Sequence, residues 1–279
     1  LKVNDLILEP LASSAAVLSN DEKEVGVALV DIGGGTSDVA VFHDGVLVHT
    51  AVIPMGGNLI TSDIKSAYNI LERQAEELKL QYGSAIPEKT QEGFIITIPG
   101  LKGRPPKQIS LVDLNMIIKA RVEEIVHAVK FQIELSQKED QLGAGIVICG
   151  GGALLKNIRQ LISHLTNYDV RIGYSTEHLS SNVVEEINQP QFATSLGLIM
   201  KAYEMQNENN NVKSKLGLQE TKQEAETEQE VEEVETRKKS KRQKTKRQKQ
   251  GDESSSNLID KLKDKMSRLF EEDEDVEDL

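Results

Sequence analysis

The sequence predicts an α/β protein built around one sheet with two glycine-rich turns at its edge. Three apolar runs, at 25–30, 39–42 and 46–53, predict strands, and the first of them has the character of a buried strand. Apolar residues at helical spacing recur between them and residue 204. Beyond this part the composition becomes highly charged. An α/β lobe followed by a charged tail is therefore the expected organisation.

The first glycine turn, Gly33-Gly34-Gly35-Thr36, joins two of the apolar runs. Glycine reaches positive φ and has no Cβ, so such a turn can expose backbone N–H groups that suit a phosphate. Asp31, at the end of the preceding strand, would lie beside that phosphate and could hold a hydrated Mg²⁺. The alternative is an ordinary hairpin loop, and the absence of a following Gly-Lys-Ser/Thr excludes a Walker loop.

The second glycine turn, Gly150-Gly151-Gly152, follows the apolar strand 145–149 and precedes a helical pattern over 154–165. The same unit of strand, glycine turn and following element therefore occurs twice, which favours a common function over a chance hairpin. The two units predict two edges of one nucleotide cleft.

Taken together, these residues resemble the FtsA family of bacterial cell-division proteins, within the actin-like ATPases. The resemblance extends over about residues 1–203, and it is carried by the stretches 8–13, 26–42, 53–57, 75–79 and 148–158. It implies an actin-like (ribonuclease-H-like) ATPase fold, of which this chain holds the second lobe only. Because the chain opens at Leu1 in mid-pattern, we expect it to be the C-terminal part of a longer protein.

The resemblance also implies domain bounds. Residues 1–25 would close the first lobe and cross to the second, which covers 26–205. An upper subdomain is inserted at about 60–140. A charged linker, which we expect to be disordered, would cover 206–256.

ATP and Mg²⁺ are the cofactors that the resemblance implies, with Asp31 as the metal residue. The phosphate and adenosine turns would supply Gly33, Gly34, Gly35, Thr36, Gly150, Gly151 and Gly152. Glu76 and Lys79 lie three residues apart on one predicted helical face, where a plain surface ion pair is the alternative. In the family, an acid and a lysine in this setting bond the ribose hydroxyls.

The remaining elements follow from local signals. A strand is predicted at 6–8, a helix at 10–18 with one apolar side poorly covered, and a solvated turn at 21–24. Later helices are expected at about 60–71, capped by Thr61 or Ser62, and at 72–82. Strands are expected at 94–98 and 108–112, a long helix at 113–136 capped by Asp113, and a last helix at 190–204.

Arg121, on the long helix, is the candidate partner-binding residue. The resemblance implies that this subdomain holds the C-terminal tail of the tubulin-like protein FtsZ, which is short, apolar and acidic. A guanidinium can pair such carboxylates bidentately.

Composition excludes several classes of function. The net charge of −12 argues against specific nucleic-acid binding by the whole chain. A single cysteine excludes an intrachain disulfide, and the five histidines lack metal-ligand spacing. No apolar run approaches the roughly 20 residues of a membrane-spanning helix.

The C-terminal residues 257–270 predict an amphipathic helix. Its apolar face consists of Leu258, Ile259, Leu262, Met266, Leu269 and Phe270. We interpret it as an interfacial anchor on an anionic membrane surface, and a protein contact is the alternative. The acidic tail 271–279, which departs from the family, would oppose that binding.

The sequence therefore predicts an ATP-binding actin-like adaptor. It would tether FtsZ filaments to the cytoplasmic face of the inner membrane at the division site and self-associate into filaments. A cell-shape or pilus-assembly scaffold and a sugar-kinase-type phosphotransferase are the alternatives. Because the first phosphate loop of the family would precede this chain, we expect weak ATP binding and no turnover from it alone.

Overall fold

A computed structural model describes residues 3, 5–100, 103–175 and 187–215. The chain divides into two units, Leu1–Asn209 and Asn210–Leu279. The first unit is described below, and of the second only the end of the last helix, 210–215, is described. The predicted membrane helix 257–270 lies outside the described residues, as does most of the predicted linker. Within the described residues, no helix combines the length and apolarity that a bilayer crossing requires.

Groups of helices alternate with groups of strands along the chain. The strands are β1 (Val27–Ile32), β2 (Ser37–His43), β3 (Val46–Ile53), β4 (Ile95–Ile98), β5 (Lys107–Ser110), β6 (Ile146–Cys149) and β7 (Val170–Ile172). The helices are α1 (Glu9–Val17), α2 (Asn20–Val25), α3 (Gly57–Tyr68), α4 (Glu72–Tyr82), α5 (Leu111–Leu135), α6 (Ile158–Thr166) and α7 (Ala193–Lys215).

A five-stranded mixed sheet forms the centre, in the order β3-β2-β1-β6-β7. The first three strands are antiparallel, whereas β6 and β7 run parallel to β1. This register places Asp31 opposite both Asp38 on β2 and Cys149 on β6. Each glycine turn follows a central strand, as the sequence predicts, and the structure shows that these two strands are adjacent.

Both faces of the sheet are covered, which explains why β1, β2 and β6 are almost continuously apolar. Alternate residues such as Val30 and Ile148 join a large core that includes α3, α5 and α6. The intervening residues, such as Leu29 and Val147, join a smaller core with α1 and α7. The pleat thus assigns each strand residue to one of two helical layers.

The N-terminal segment departs from the sequence prediction at three points. The predicted strand at 6–8 has no strand geometry, and the predicted turn at 21–24 is helix α2. A reciprocal capping box explains this helix: Glu22 N donates to Ser19 Oγ, while Ser19 N donates to Glu22 Oε2. The expectation of poor cover for the first helix is also wrong, because residues 12–17 of α1 are buried.

The segment 60–140, predicted as an inserted upper subdomain, contains most of α3, and α4, the β4–β5 hairpin and α5. The predicted caps differ from those observed. Helix α3 starts at Gly57 after Gly56, so Thr61 lies inside the helix, and Ser110 rather than Asp113 caps α5. Ser110 Oγ accepts from Asp113 N at 3.4 Å, so Asp113 is the capped residue and not the cap.

The region after the second glycine turn also differs from the prediction. The turn continues as a short 3₁₀ segment, Gly151–Leu154, and α6 begins only at Ile158. Strand β7 was not predicted. Helix α7 continues to Lys215, beyond the predicted end near residue 204, so part of the predicted linker is helical.

Candidate functional site

The first glycine turn is a loop that a backbone hydrogen bond closes. Gly33 N donates to Thr36 O at 2.9 Å, and Ser37 Oγ donates to Met55 O at 2.7 Å. In the described part of the chain, the N–H groups of Gly34, Gly35 and Thr36 have no acceptor. Contrary to the sequence prediction, none of the three glycines has a positive φ. These free donors, rather than an unusual backbone conformation, suit the turn to an anion.

The first turn of helix α3 is hydrogen-bonded to this loop. Gly57 N donates to Gly33 O at 2.9 Å, and Asn58 N donates to Gly34 O at 2.8 Å. Gly56 makes this approach possible, because a Cβ there would lie 2.7 Å from both Gly33 O and Gly34 O. The first turn of α3 and the glycine loop are therefore one hydrogen-bonded unit.

In the second glycine turn, the three consecutive positions differ in whether the structure leaves room for a Cβ. Gly150 has a φ of 80°, and a Cβ there would lie 2.4 Å from Asp31 Oδ1. A Cβ on Gly152 would lie 2.3 Å from Ile32 Cγ2. Gly151, in contrast, has open space where its Cβ would be, as has Gly35 in the first turn. Packing thus requires Gly150 and Gly152, whereas nothing in the described residues occupies the space beside Gly35 and Gly151.

Asp31 lies between the sheet and the helices α1 and α7. The residue is only 7% exposed, and its Oδ2 accepts hydrogen bonds from Ser13 Oγ at 3.0 Å and Thr194 Oγ1 at 3.2 Å. The two hydroxyls also lie 3.0 Å from each other. Burial, and then the nearby Asp31 carboxylate, raise the pKa of Cys149 well above its usual value. Cys149 is therefore a protonated core thiol.

The negative charge of Asp31 contributes to raised pKa values of two nearby carboxyl groups, Asp38 and Glu9. Burial raises the pKa of Asp38; the hydrogen bond from Thr36 opposes this rise, and the charge of Asp31 adds to it. Burial also raises the pKa of Glu9, with further contributions from the charges of Asp38 and Asp31. Across the described ranges, no three Asp, Glu, His or Cys side chains are placed to hold a metal ion by themselves.

Glu76 and Lys79 form a partly buried ion pair on α4. Lys79 Nζ lies 2.8 Å from Glu76 Oε2 and donates to Gly57 O at 3.0 Å and to Thr61 Oγ1 at 2.9 Å. Thr61 Oγ1 in turn contacts Glu76 Oε2. Burial alone would raise the pKa of Glu76, but the hydrogen bonds from Lys79 and Thr61 and the charge of Lys79 outweigh it, so the pKa is lowered. Glu76 is consequently an anion at neutral pH.

A cavity of about 670 Å³ joins these parts. Of the predicted cofactor residues it is lined by Gly33, Gly34, Glu76, Lys79, Gly151 and Gly152. Its apolar wall comes from α3, α5 and α6, through Ile60, Val122, Ile125, Val126 and Ile158. Gly35, Thr36, Gly150 and Asp31 do not line it. Residues from both glycine turns and from α4 therefore meet at one cavity.

Arg121 does not line this cavity, and its guanidinium reaches from α5 to Asp63 on α3. Its Nε donates to Asp63 Oδ2 at 2.7 Å, its Nη2 to Asp63 Oδ1 at 3.0 Å, and its Nη1 to Glu124 Oε2 at 2.6 Å. The hydrogen bonds to Asp63 raise the pKa of Arg121; burial opposes this rise, and the charges of Asp63 and Glu124 add to it. The predicted partner-binding group is thus occupied by one acid of α3 and one of α5, and Glu124 on α5 is the more exposed of the two.

Comparison with known protein families shows to which family the chain belongs. The family described as cell division protein FtsA matches residues 28–197. The chain belongs to the FtsA family.

Curated FtsA proteins from several bacteria support this assignment. The chain is 38% identical to that of Pseudomonas aeruginosa over 210 residues, which are 75% of this chain and 49% of the relative. It is 36% identical to that of Escherichia coli K12 over 206 residues, 71% of this chain and 49% of the relative. The chain therefore spans about half the length of the curated FtsA relatives that it matches.

Solved structures confirm the fold class. MreB5 of Spiroplasma citri bound to ADP is 22% identical with a TM-score of 0.57, over 73% of this chain and 61% of that chain. The same protein bound to AMPPNP is 23% identical with a TM-score of 0.56, over 73% and 60%. A PilM–PilN type IV pilus biogenesis complex is 18% identical with a TM-score of 0.52, over 71% and 52%. The lobe has the actin-like α/β fold that the sequence predicts.

Three residues of this FtsA-family site were not singled out from the sequence. The first two are Ser13 and Thr194, which donate hydrogen bonds to Asp31. The alternation of β1 could have indicated them, because it puts Asp31 on the same sheet face as Val27 and Leu29, which pack against α1 and α7. The third, Thr61, was interpreted as a helix cap. Once α3 starts at Gly57, its position one turn into the helix brings its hydroxyl to the Glu76–Lys79 pair.

Proposed function

We propose that this lobe binds ATP and that it does so in the cavity between the two glycine turns and α4. The observation that carries the proposal is the convergence of Gly33, Gly34, Glu76, Gly151 and Gly152 on one cavity, although these residues are widely separated in sequence. The cavity volume of about 670 Å³ lies in the range of small-molecule sites. The solved relatives with the same fold include one protein bound to ADP and to AMPPNP.

The residues present fit a nucleotide at each of its parts. The free N–H groups of Gly34, Gly35 and Thr36 would donate hydrogen bonds to a phosphate. The open space beside Gly35 and Gly151 leaves room for close approach of a ligand. The Glu76 carboxylate would accept hydrogen bonds from ribose hydroxyls, and the apolar wall of α5 and α6 suits a flat base.

Asp31 is the residue that we propose for Mg²⁺. Mg²⁺ commonly takes one or two carboxylates and completes its shell with water and phosphate oxygens. One buried carboxylate, without a full set of protein ligands in the described residues, fits that pattern. When bound, the ion would neutralise phosphate charge next to the negative side chains of Asp31, Asp38 and Glu9.

We further propose that the protein is the adaptor of a division ring. Family membership supports cell division over cell-shape scaffolds, pilus assembly and sugar phosphorylation, which were the alternatives. Arg121 would hold the acidic FtsZ tail by replacing Glu124, its more exposed partner. Self-association would place many copies along one filament. The amphipathic segment 257–270 would tether them to the cytoplasmic face of the inner membrane at the division site.

The nucleotide proposal is tested by titrating the protein with ADP and with ATP in the presence of Mg²⁺. Glu76→Gln keeps the size of the side chain and removes its charge, so ADP affinity should fall by about tenfold. Glu77→Gln is the matched control, because Glu77 is the exposed neighbour on the same helix. Equal affinities for the parent and Glu76→Gln, with both folded, would exclude this cavity as the nucleotide site.

A further inference from the structure

Thr61 contacts both members of the Glu76–Lys79 pair. It is buried in the second turn of α3, where it does not line the cavity itself. Its hydroxyl accepts a hydrogen bond from Lys79 Nζ and contacts Glu76 Oε2. It also lies 3.2 Å from Gly57 O. Because the hydroxyl has one proton, the charged Glu76 oxygen is the stronger acceptor for it.

The ammonium group of Lys79 has no proton left for a ligand. An ammonium has three donors, and Gly57 O, Thr61 Oγ1 and Glu76 Oε2 lie 2.8–3.0 Å from Nζ. The side chain is only 13% exposed, whereas that of Glu76 is 40% exposed. Glu76 Oε1 has no partner among the described residues. Glu76 is thus the member of the pair that can meet a ribose.

The same contacts extend to the phosphate turn. Gly57 accepts from Lys79 through its carbonyl, and it donates to Gly33 O through its N–H at 2.9 Å. A continuous hydrogen-bonded chain therefore runs from Glu76 through Lys79 and Gly57 to the glycine loop. Thr61 stabilises this chain at the point where Glu76 and Lys79 meet.

We propose that Thr61 is a positioning residue that, together with Lys79, fixes the Glu76 carboxylate and connects it to the glycine loop. This inference rests on the proposed nucleotide site, and it changes the role of Lys79 from that of a ribose ligand. Two donors on Oε2 orient the carboxylate and leave Oε1 towards the ligand. Binding then needs no reorganisation of Glu76, which is how preorganisation increases affinity.

The experiment removes the hydroxyl alone. Thr61→Val keeps the shape of the side chain, Thr61→Ser keeps the hydroxyl, and Ser62→Ala removes an exposed hydroxyl from the next residue of α3. The pKa of the Glu76 carboxyl, followed by ¹³C NMR without nucleotide, should rise in Thr61→Val because the anion loses a donor. It should return to the parent value in Thr61→Ser and stay there in Ser62→Ala.

The affinity for ADP provides the second measurement. Thr61→Val should weaken it by about three- to tenfold, and Thr61→Ser should restore it. In a Glu76→Gln background the effect of Thr61→Val should largely disappear, because Thr61 acts through the charged carboxylate. Additive losses in the two variants would overturn the proposal, since Thr61 would then act independently of Glu76.

The two measurements separate this inference from the nucleotide proposal. If the parent binds no nucleotide, the proposed function fails, and the Glu76 titration alone decides the role of Thr61. An unchanged Glu76 pKa in Thr61→Val overturns that role whatever the nucleotide affinity. If Thr61→Val does not fold, Thr61→Ala removes the same hydroxyl without adding a second methyl group to the core.

Discussion

The Asp63 carboxylate on α3 holds the Arg121 guanidinium on α5 through two parallel hydrogen bonds of 2.7 and 3.0 Å. The same helix also contacts the glycine loop through Gly57 and Asn58. Helix α3 thus contacts both the loop and, through Asp63, the proposed partner site. Because Asp63 fixes two of the guanidinium nitrogens, the third nitrogen, Nη1, is the one that an incoming carboxylate can reach by displacing Glu124.

The first prediction concerns this arginine. Arg121→Glu should weaken binding of an FtsZ C-terminal peptide by at least about tenfold, since it replaces a charge-assisted contact with like-charge repulsion. Glu124→Gln should instead strengthen binding, by up to about fivefold, because Nη1 is released from an exposed ion pair. Fluorescence anisotropy with a labelled peptide, at low and at high salt, measures both effects.

Lys119→Glu is the charge-matched control, because Lys119 pairs with Glu123 on the same helix and has no contact with Asp63. It should change peptide affinity much less than Arg121→Glu does. Equal losses in the two variants would mean that only the net charge of the subdomain matters, and the assignment of Arg121 would be wrong.

The second prediction separates two adjacent glycines. Gly151→Ala should leave the free energy of unfolding within about 0.5 kcal/mol of the parent, because its Cβ enters open space. The same methyl group should lower ATP affinity by at least about tenfold if a ligand occupies that space. Gly150→Ala should destabilise the fold by about 1–3 kcal/mol, because it combines a positive φ with a close contact to Asp31.

Urea denaturation and nucleotide titration of the same two variants check this prediction. Normal ATP affinity in a folded Gly151→Ala would show that no ligand approaches this turn closely. A fully stable Gly150→Ala would contradict the packing of the second turn against Asp31.

The third prediction is a pH dependence at Asp38. Its raised pKa means that the ionised carboxylate destabilises the folded state above that pKa. Asp38→Asn should therefore increase the free energy of unfolding at neutral pH, by about 1.4 kcal/mol for each unit of pKa elevation. The gain should disappear below about pH 4, where an unfolded aspartate is protonated as well.

Urea denaturation between pH 3.5 and 8 measures this dependence, with the exposed Glu92→Gln as the control. Asparagine can still accept the hydrogen bond from Thr36, so that contact is not lost. A loss of stability in Asp38→Asn at neutral pH would mean that the negative field around Asp31 is compensated by cations.

The fourth prediction concerns the pair Glu22–Arg171, which ties α2 to β7. Arg171 donates from Nε and Nη2 to the two Glu22 oxygens, each at 2.6 Å. Burial raises the pKa of Glu22, but the hydrogen bonds and charge of Arg171 and the hydrogen bonds from Ser19 outweigh it and lower the pKa. The contribution of the pair to stability is thus present above about pH 4.3 and lost as the pH falls through the lowered pKa.

Glu22→Gln should reduce the free energy of unfolding at neutral pH by about 1–2 kcal/mol, since the pair is partly exposed. The difference between this variant and the parent should shrink as the pH falls below about 4. Glu24→Gln, on the exposed side of the same helix, is the control. A constant difference across this pH range would assign the effect to the helix cap rather than to the ion pair.

Local signals in the sequence were sufficient where turn and periodicity agreed. Strand β3 was predicted with both its bounds, because the Asp44-Gly45 turn precedes it and the apolar run ends at Ile53. Helix α4 was likewise predicted over Glu72–Tyr82, with Gly83 at its end. The two glycine turns were sufficient to predict one cleft, because central strands that lie side by side bring their following turns together.

The features that were missed depend on tertiary contacts. Strand β7 is three residues long, has Arg171 at its centre, and is paired only with β6 in the described sheet. Gly26 delays β1 to Val27, because its φ of 97° ends α2 rather than starting a strand. The contacts of Thr61 require that α3 and α4 pack side by side, and no local spacing predicts that arrangement.

The last prediction concerns the segment 257–270, whose membrane role rests on the sequence alone. Six apolar side chains would contribute on the order of 1.5–3 kcal/mol each at full burial. Burial at an interface is partial, helix formation opposes it, and the acidic residues 271–279 are repelled by anionic lipid. One copy should therefore bind weakly, whereas a filament that carries many copies should bind tightly through effective concentration.

Co-sedimentation with anionic liposomes tests this expectation. Leu262→Asp combined with Phe270→Asp should abolish co-sedimentation, because charged groups then interrupt the apolar face. Deletion of 271–279 should strengthen it, since the apolar face remains while the electrostatic repulsion is removed, and added salt should reduce the difference between the deletion variant and the parent. If the double aspartate variant sediments with liposomes as the parent does, the segment is not the anchor, and its apolar face instead serves a protein contact.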